Sequence, residues 1–208
     1  MALLGDYIDR GRQSAQVIAQ LLTLRGDARF ETRLMLGNHE DAMLDFLAGR
    51  SLGRGWARFG GRATMEAYGV EAPQCDDDDD VWRRTRAQLA AAVPESHKAL
   101  LRGMDLYGTC GEVLFVHAGV RPGIPLAEQV RDDLLGIRGD FLGDDRPMAR
   151  FVVHGHTPVD RAERHARRLN LDTGAYLSGR LSGARFDGGE PVIFCATAAG
   201  VRQDVAVL

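Results

Sequence analysis

Short apolar runs that stop abruptly at polar loops set the rhythm of this sequence. Met1-Ala2-Leu3-Leu4 reads as a strand and runs at once into Gly5-Asp6-Tyr7-Ile8-Asp9-Arg10-Gly11. Ser14 has the residue type of a helix N-cap, and Val17, Ile18, Leu21, Leu22 and Leu24 give an apolar face to a helix that Gly26-Asp27 ends. Thr32 to Leu36 is a second apolar run, stopping at Gly37-Asn38-His39-Glu40, where another helix starts and continues through Leu47. The order strand, loop, helix, strand, loop, helix predicts a parallel sheet with crossover helices.

The middle is less regular. Gly49, Gly53, Gly55, Gly60 and Gly61 make 50–62 a poor continuous helix, and 63–68 holds one or two helical turns. Asp76 to Asp80 is a run of five acids, the pattern of a solvated surface or a helix N-terminus more than of a metal site. Helices are predicted over 82–92, stopped by Pro94, and over 95–102. Strands are predicted over 112–116 and 151–153, ending in His117-Ala118-Gly119 and His154-Gly155-His156-Thr157-Pro158. The apolar segments 169–171, 181–186 and 192–196, parted by turn residues, predict an antiparallel meander. No repeat or linker interrupts the 208 residues, which read as one α/β domain spanning 1–208.

Composition narrows the function. With 45% hydrophobic and 26% charged residues the chain has material for a core. A net charge of −3 argues against a nucleic-acid partner bound by bulk positive charge. No apolar run reaches the ~20 residues of a membrane helix, and no secretory leader pattern opens the chain. Cys75, Cys110 and Cys195 are too few and too scattered for a disulfide framework or a thiolate zinc site, so the chain reads as cytoplasmic.

Four of the six histidines, His39, His117, His154 and His156, fall in loops directly after apolar strands, as do Asp6, Asp9, Arg10 and Asn38. Ends of neighbouring strands in an open α/β sheet share a crevice, so these groups are expected to converge. Carboxylate, amide and imidazole together suit a borderline divalent ion such as manganese, iron or zinc. An adjacent arginine suits a phosphate, because a guanidinium grips two oxygens at once. Metal, arginine and an imidazole proton donor are the equipment of phosphoester hydrolysis.

Gly5-Asp6-Tyr7-Ile8-Asp9-Arg10-Gly11, Gly37-Asn38-His39-Glu40, Val116-His117-Ala118-Gly119 and Gly155-His156-Thr157-Pro158 resemble, in order and spacing, the signatures of the calcineurin-like metallophosphoesterases. The resemblance is to their phosphoprotein-phosphatase branch, in the bacterial style of small serine/threonine phosphatases and symmetrical diadenosine tetraphosphatases. It implies a four-layer α/β/β/α sandwich of mixed sheets and hydrolysis by a metal-activated water. It also implies a two-metal site, with manganese first and iron or zinc as alternatives. Asp6 would bridge the two metals, with Asn38, His117 and His156 completing the ligand shell of the second metal. His39 would be the general acid, oriented by Asp9, and Arg10 and Arg138 would bind phosphate. The group has a tryptophan where this chain has Gly136, and His154 takes a supporting place. The implied partner is a phosphorylated substrate, whether a phosphoprotein, a small phosphoester or a dinucleoside polyphosphate. Gly49 to Asp80, with Arg50, Arg54, Arg58 and Arg62, is the segment in which specificity is expected.

The family's first signature, Gly-Asp-x-His-Gly, does not occur, and no later Asp-x-His replaces it. On this reading the chain lacks the first strand and helix of the fold and is N-terminally truncated, leaving only Asp6 for the first metal. The alternative is a degenerate homologue that binds phosphate without catalysis.

Overall fold

In the computed structural model of the protein, which describes residues 1–144, 146 and 148–207, strand β1 (Ala2–Leu3) lies parallel to β2 (Arg33–Leu34), with Leu3 opposite Leu34. Helix α1 (Ser14–Arg25) makes the crossover between them, as the sequence pattern predicts. Met35 extends the line of β2 by a parallel bridge to Asp105. There follow α2 (Asn38–Leu47), α3 (Arg54–Trp56), a π-helical turn (Ala57–Gly61), α4 (Arg62–Ala67), α5 (Asp79–Ala92) and α6 (Glu95–Arg102). These elements form one of two compact units, Met1–Asp105; the other is Leu106–Leu208.

Three local expectations for the first unit change. Ser14 is not the N-cap of α1, a position held by Gln13. Its buried hydroxyl instead accepts the Asp9 backbone N–H at 3.2 Å, tying the helix start to the preceding loop. The glycine-rich 54–67 segment is helical throughout except at Gly60 (φ 127°, ψ −8°), and a π-turn absorbs the irregularity. Helix α5 begins three residues before Trp82, because Asp78 caps it through the Val81 N–H at 2.9 Å. Asp79 and Asp80 then sit in its first turn, where the helix dipole favours acids. The five-acid run is thus largely a helix start.

Phe46 centres the core of this unit, 5.5 Å from the Trp56 ring and 6.3 Å, edge-on, from Trp82. Ile18, Met43, Met65 and Leu89 close around them, fully buried. Each such side chain contributes about 1.5–3 kcal/mol on leaving water.

The second unit contains β3 (Tyr107–Cys110), β4 (Val113–Val116), a 3₁₀ turn (Leu126–Glu128), α7 (Arg131–Gly136), α8 (Gly139–Leu142), β5 (Phe151–His154), β6 (Glu163–Arg164), β7 (Arg168–Asn170), α9 (Ala175–Ser178), β8 (Leu181–Arg185), β9 (Val192–Thr197) and β10 (Gly200–Asp204). Its larger sheet has the order β3-β4-β5-β7-β6, parallel through β4, β5 and β7 and antiparallel at both edges. The smaller sheet is the antiparallel meander β8-β9-β10. The 169–171 segment, predicted to start that meander, supplies a parallel strand of the larger sheet instead, where Leu169 is fully buried. Strand β10, with Val201 as its one large apolar residue, has no apolar run in the sequence.

The protein is therefore a mixed α/β fold built from mixed sheets. No described helix is long and apolar enough to cross a membrane, and Cys75, Cys110 and Cys195 are free thiols.

Candidate active site

The loop after β1 is held by a carboxylate from the next motif. Glu40, in the first turn of α2, has no exposed surface. Its Oε2 accepts the backbone N–H of Asp6 at 3.0 Å and of Gly37 at 2.9 Å. Its Oε1 accepts those of Tyr7 at 2.7 Å and Ile8 at 3.2 Å. Burial, followed by the charge of Asp6, pushes the Glu40 carboxyl up to about 7, while the N–H bonds oppose that rise by favouring the ionised form. Gly37 is required by this closeness, since a Cβ there would lie 2.5 Å from both the Asp6 nitrogen and its Oδ1. The Tyr7 hydroxyl adds an anchor, 2.9 Å from the Leu3 carbonyl and 3.0 Å from that of Met35.

So restrained, the loop adopts a backbone that side chains seldom tolerate. Asp6 (φ 57°), Asp9 (φ 75°) and Arg10 (φ 60°) are all left-handed. A 2.5 Å bond from the Gly11 N–H to the Asp9 carbonyl makes Arg10 the centre of a γ-turn. Asp9 is buried and its partners are complete. Oδ2 meets His39 Nδ1 at 2.5 Å and accepts the Trp56 indole N–H at 2.9 Å, and Oδ1 accepts the Thr64 hydroxyl at 2.6 Å. The Asp9 backbone N–H goes to Thr64 Oγ1 at 2.9 Å.

A carboxylate can only accept, so Nδ1 of His39 carries the proton and Nε2 is the atom left for chemistry. That Nε2 lies 4.0 Å from Asp6 Oδ2, beyond hydrogen-bond reach. Burial alone would lower the His39 pKa, but the Asp9 hydrogen bond and the charges of Asp6 and Asp9 outweigh it and raise the pKa. Asn38 opens α2 beside His39, with Gly37 as N-cap. Asp6, Asp9, Arg10, Asn38 and His39 are thereby gathered in the first unit.

The second unit gathers the other predicted residues. Parallel strands β4 and β5 deliver His117 and the Gly155-His156 turn side by side, with the Gly155 N–H on the His117 carbonyl at 2.8 Å. His117 Nε2 and His156 Nδ1 are 3.1 Å apart and their rings meet edge-on. His156 (φ 65°) centres a second γ-turn, closed by the Thr157 N–H on the Gly155 carbonyl at 2.8 Å. Arg138 Nη2 donates to the His156 carbonyl at 3.1 Å. His154 is fully buried, edge-on to Phe141, with Nδ1 3.1 Å from the Gly155 carbonyl. Burial pushes its imidazole down to about 3, so the ring is neutral and supports the turn beside it.

Sequence reasoning passed over Glu40, Trp56 and Thr64. Glu40 belonged to a quoted motif but had been given no role. Trp56 and Thr64 sit in the glycine-rich stretch, and only their side-chain hydrogen bonds to Asp9 reveal them.

With this geometry in view, comparison with known proteins places the chain. A profile of the calcineurin-like phosphoesterases matches residues 1–179, and the protein belongs to that family. It is accordingly a hydrolase of phosphoesters, of a family that uses divalent metal. The asymmetrical bis(5'-nucleosyl)-tetraphosphatase PrpE of Bacillus subtilis (strain 168) is 25% identical over 198 residues, covering 88% of this chain and 73% of the relative. The protein of the same name from Geobacillus sp. (strain WCH70) is 26% identical over 200 residues, covering 89% and 75%. A crystal structure of a protein provisionally named a diadenosine tetraphosphatase superposes with a TM-score of 0.62 at 20% identity, over 93% of this chain and 79% of the other. The relatives carry the asymmetrical tetraphosphatase name, whereas the motif resemblance is to small serine/threonine phosphatases and symmetrical diadenosine tetraphosphatases.

Proposed function

We propose that this protein hydrolyses a dinucleoside polyphosphate, with a divalent metal held by Asp6, Asn38, His117 and His156. Paired imidazole nitrogens at 3.1 Å and a constrained carboxylate are donors of the type that manganese, iron or zinc accepts. The residues present thus fit a metal in kind. When bound, the ion would polarise the phosphate oxygens and acidify a water for attack on phosphorus. Arg10 and Arg138 would grip the remaining phosphate oxygens through their guanidinium forks. His39, charged, would give its Nε2 proton to the departing oxygen while keeping its Nδ1 proton on Asp9.

The observation that supports the hydrolytic part of this reading is the 2.5 Å contact between His39 and Asp9, within the residues 1–179 that match the family. The names of the relatives support the dinucleoside substrate over a phosphoprotein.

The test compares diadenosine tetraphosphate, a phosphoserine peptide and p-nitrophenyl phosphate in the presence of Mn²⁺. The tetraphosphate should give the highest kcat/KM, and the product nucleotides distinguish central from off-centre cleavage. Asn38→Ala and His117→Ala should lose turnover together with bound metal. A preference for the phosphopeptide would establish a serine/threonine phosphatase instead. Full metal content and full rate in both variants would remove the proposed ligand set.

A further inference from the structure

Four arginines mark the segment where specificity is expected, and the structure separates one from the rest. Arg50 pairs with Asp45 at 2.6 Å. Arg54 donates to the carbonyls of Cys75 and Asp77, pairs with Asp79 at 2.8 Å and lies over the Trp82 ring. Arg62 brackets the same stretch of chain through the carbonyls of Ala72 and Pro73. Arg58 is exposed and has no hydrogen bond or ion pair among the described residues. Beside it Phe59 is 67% exposed, a large aromatic that folding does not use.

These two residues are not on a loose loop. They occupy the π-helical turn Ala57–Gly61, whose flanks are fixed to the Asp6–Gly11 loop. On one side Trp56 donates to Asp9. On the other the Gly60 carbonyl accepts the Arg10 N–H at 3.1 Å, so closely that a Cβ on Gly60 would sit 2.7 Å from Arg10 Cγ. Such turns cost backbone regularity and recur at functional sites. Here the irregularity carries an uncommitted cation and an uncommitted aromatic face on the two residues that precede Gly60, whose carbonyl binds the Arg10 N–H.

We propose that Arg58 and Phe59 form a nucleotide subsite, with Phe59 stacking against a nucleobase and Arg58 contacting a phosphate that is not being cleaved. The subsite rests on the dinucleoside polyphosphate reading above. The chemistry matches that substrate class: every nucleobase has a face to stack, and a polyphosphate carries charge beyond the reacting phosphorus. A small aryl phosphate offers neither a nucleobase nor a second phosphate. The subsite therefore bears on selectivity between substrates.

The experiment measures kcat/KM for diadenosine tetraphosphate and for p-nitrophenyl phosphate in the parent, Phe59→Ala, Phe59→Trp, Arg58→Ala and a surface control, Phe30→Ala. Inhibition of p-nitrophenyl phosphate hydrolysis by ADP is measured alongside. Phe59→Ala should lower the tetraphosphate-to-aryl selectivity ratio roughly tenfold and raise the ADP inhibition constant about as much, within the range of stacking one base on an aromatic ring. Phe59→Trp should restore both, Arg58→Ala should lower the ratio several-fold, and Phe30→Ala should leave it unchanged. An unchanged ratio and an unchanged ADP constant in Phe59→Ala would overturn the subsite. A parent that cleaves the aryl phosphate but not the tetraphosphate would instead refute the substrate reading, and the ADP constants alone would then decide the subsite.

Discussion

Trp56 donates its indole N–H to the same Asp9 oxygen, Oδ2, that meets His39 Nδ1. The tryptophan ring is also packed on Phe46, so one side chain joins the hydrophobic core to the carboxylate behind the proposed acid. Trp56→Phe keeps most of the packing and removes the donor. It should destabilise the fold by about 1 kcal/mol, the ordinary net value of a hydrogen bond. Denaturant titration checks the stability, and kcat should fall several-fold with KM for p-nitrophenyl phosphate nearly constant.

Glu40→Gln tests the anchoring of the loop. An amide offers one acceptor oxygen and turns N–H donors toward two of the four backbone N–H groups now bound. The expected loss is roughly 2–4 kcal/mol, because those donors are buried and unmet. Thermal melting measures it, and metal titration should show weakened binding, since the loop that carries Asp6 loses half of its anchoring bonds.

His39→Asn separates proton donation from metal binding. Metal content by elemental analysis should equal that of the parent, while kcat falls about 10²–10⁴-fold, the usual weight of a general acid. The deficit should be larger for an alkyl phosphate than for p-nitrophenyl phosphate, whose leaving group needs little help. An undiminished rate would end the assignment.

Away from these loops, His97 gives the fold a dependence on pH. Its ring is buried, with Nδ1 2.9 Å from the Tyr68 hydroxyl, and burial lowers its pKa. The folded chain thus resists a proton that the unfolded chain takes up below about 6.5. Stability is full above that pH and is lost as pH falls toward the lowered folded value. Between about pH 7.5 and about pH 5 the parent should lose more in Tm than His97→Leu.

Much of the fold was legible wherever burial imposed a period. Ile18 and Leu21 mark the buried side of α1, and the runs 112–116 and 151–153 supply the neighbouring parallel strands β4 and β5. The stretch around Gly60 misled, because glycine content argues against helix while a π-turn needs only one residue outside helical angles. Strand β10 went unseen for a different reason. Its place is set by register, with Val201 opposite Ala196, and that pairing leaves no apolar alternation to read. The motif residues could be named from sequence because chemistry restricts their type. Trp56 and Thr64 could not, since a core tryptophan and a buried threonine look the same whether or not they touch an aspartate.

Asp6, Asp9, Arg10 and His156 all hold torsions that cost about 1 kcal/mol or more apiece for a residue with a side chain. Summed, this load is a sizeable fraction of the net stability of an ordinary domain, about 5–15 kcal/mol. An excised heptapeptide carrying the first motif would therefore relax and lose its shape. At Arg10, whose side chain is exposed, a glycine would relieve the torsion while removing the proposed phosphate contact, so robustness and activity pull against each other at that position.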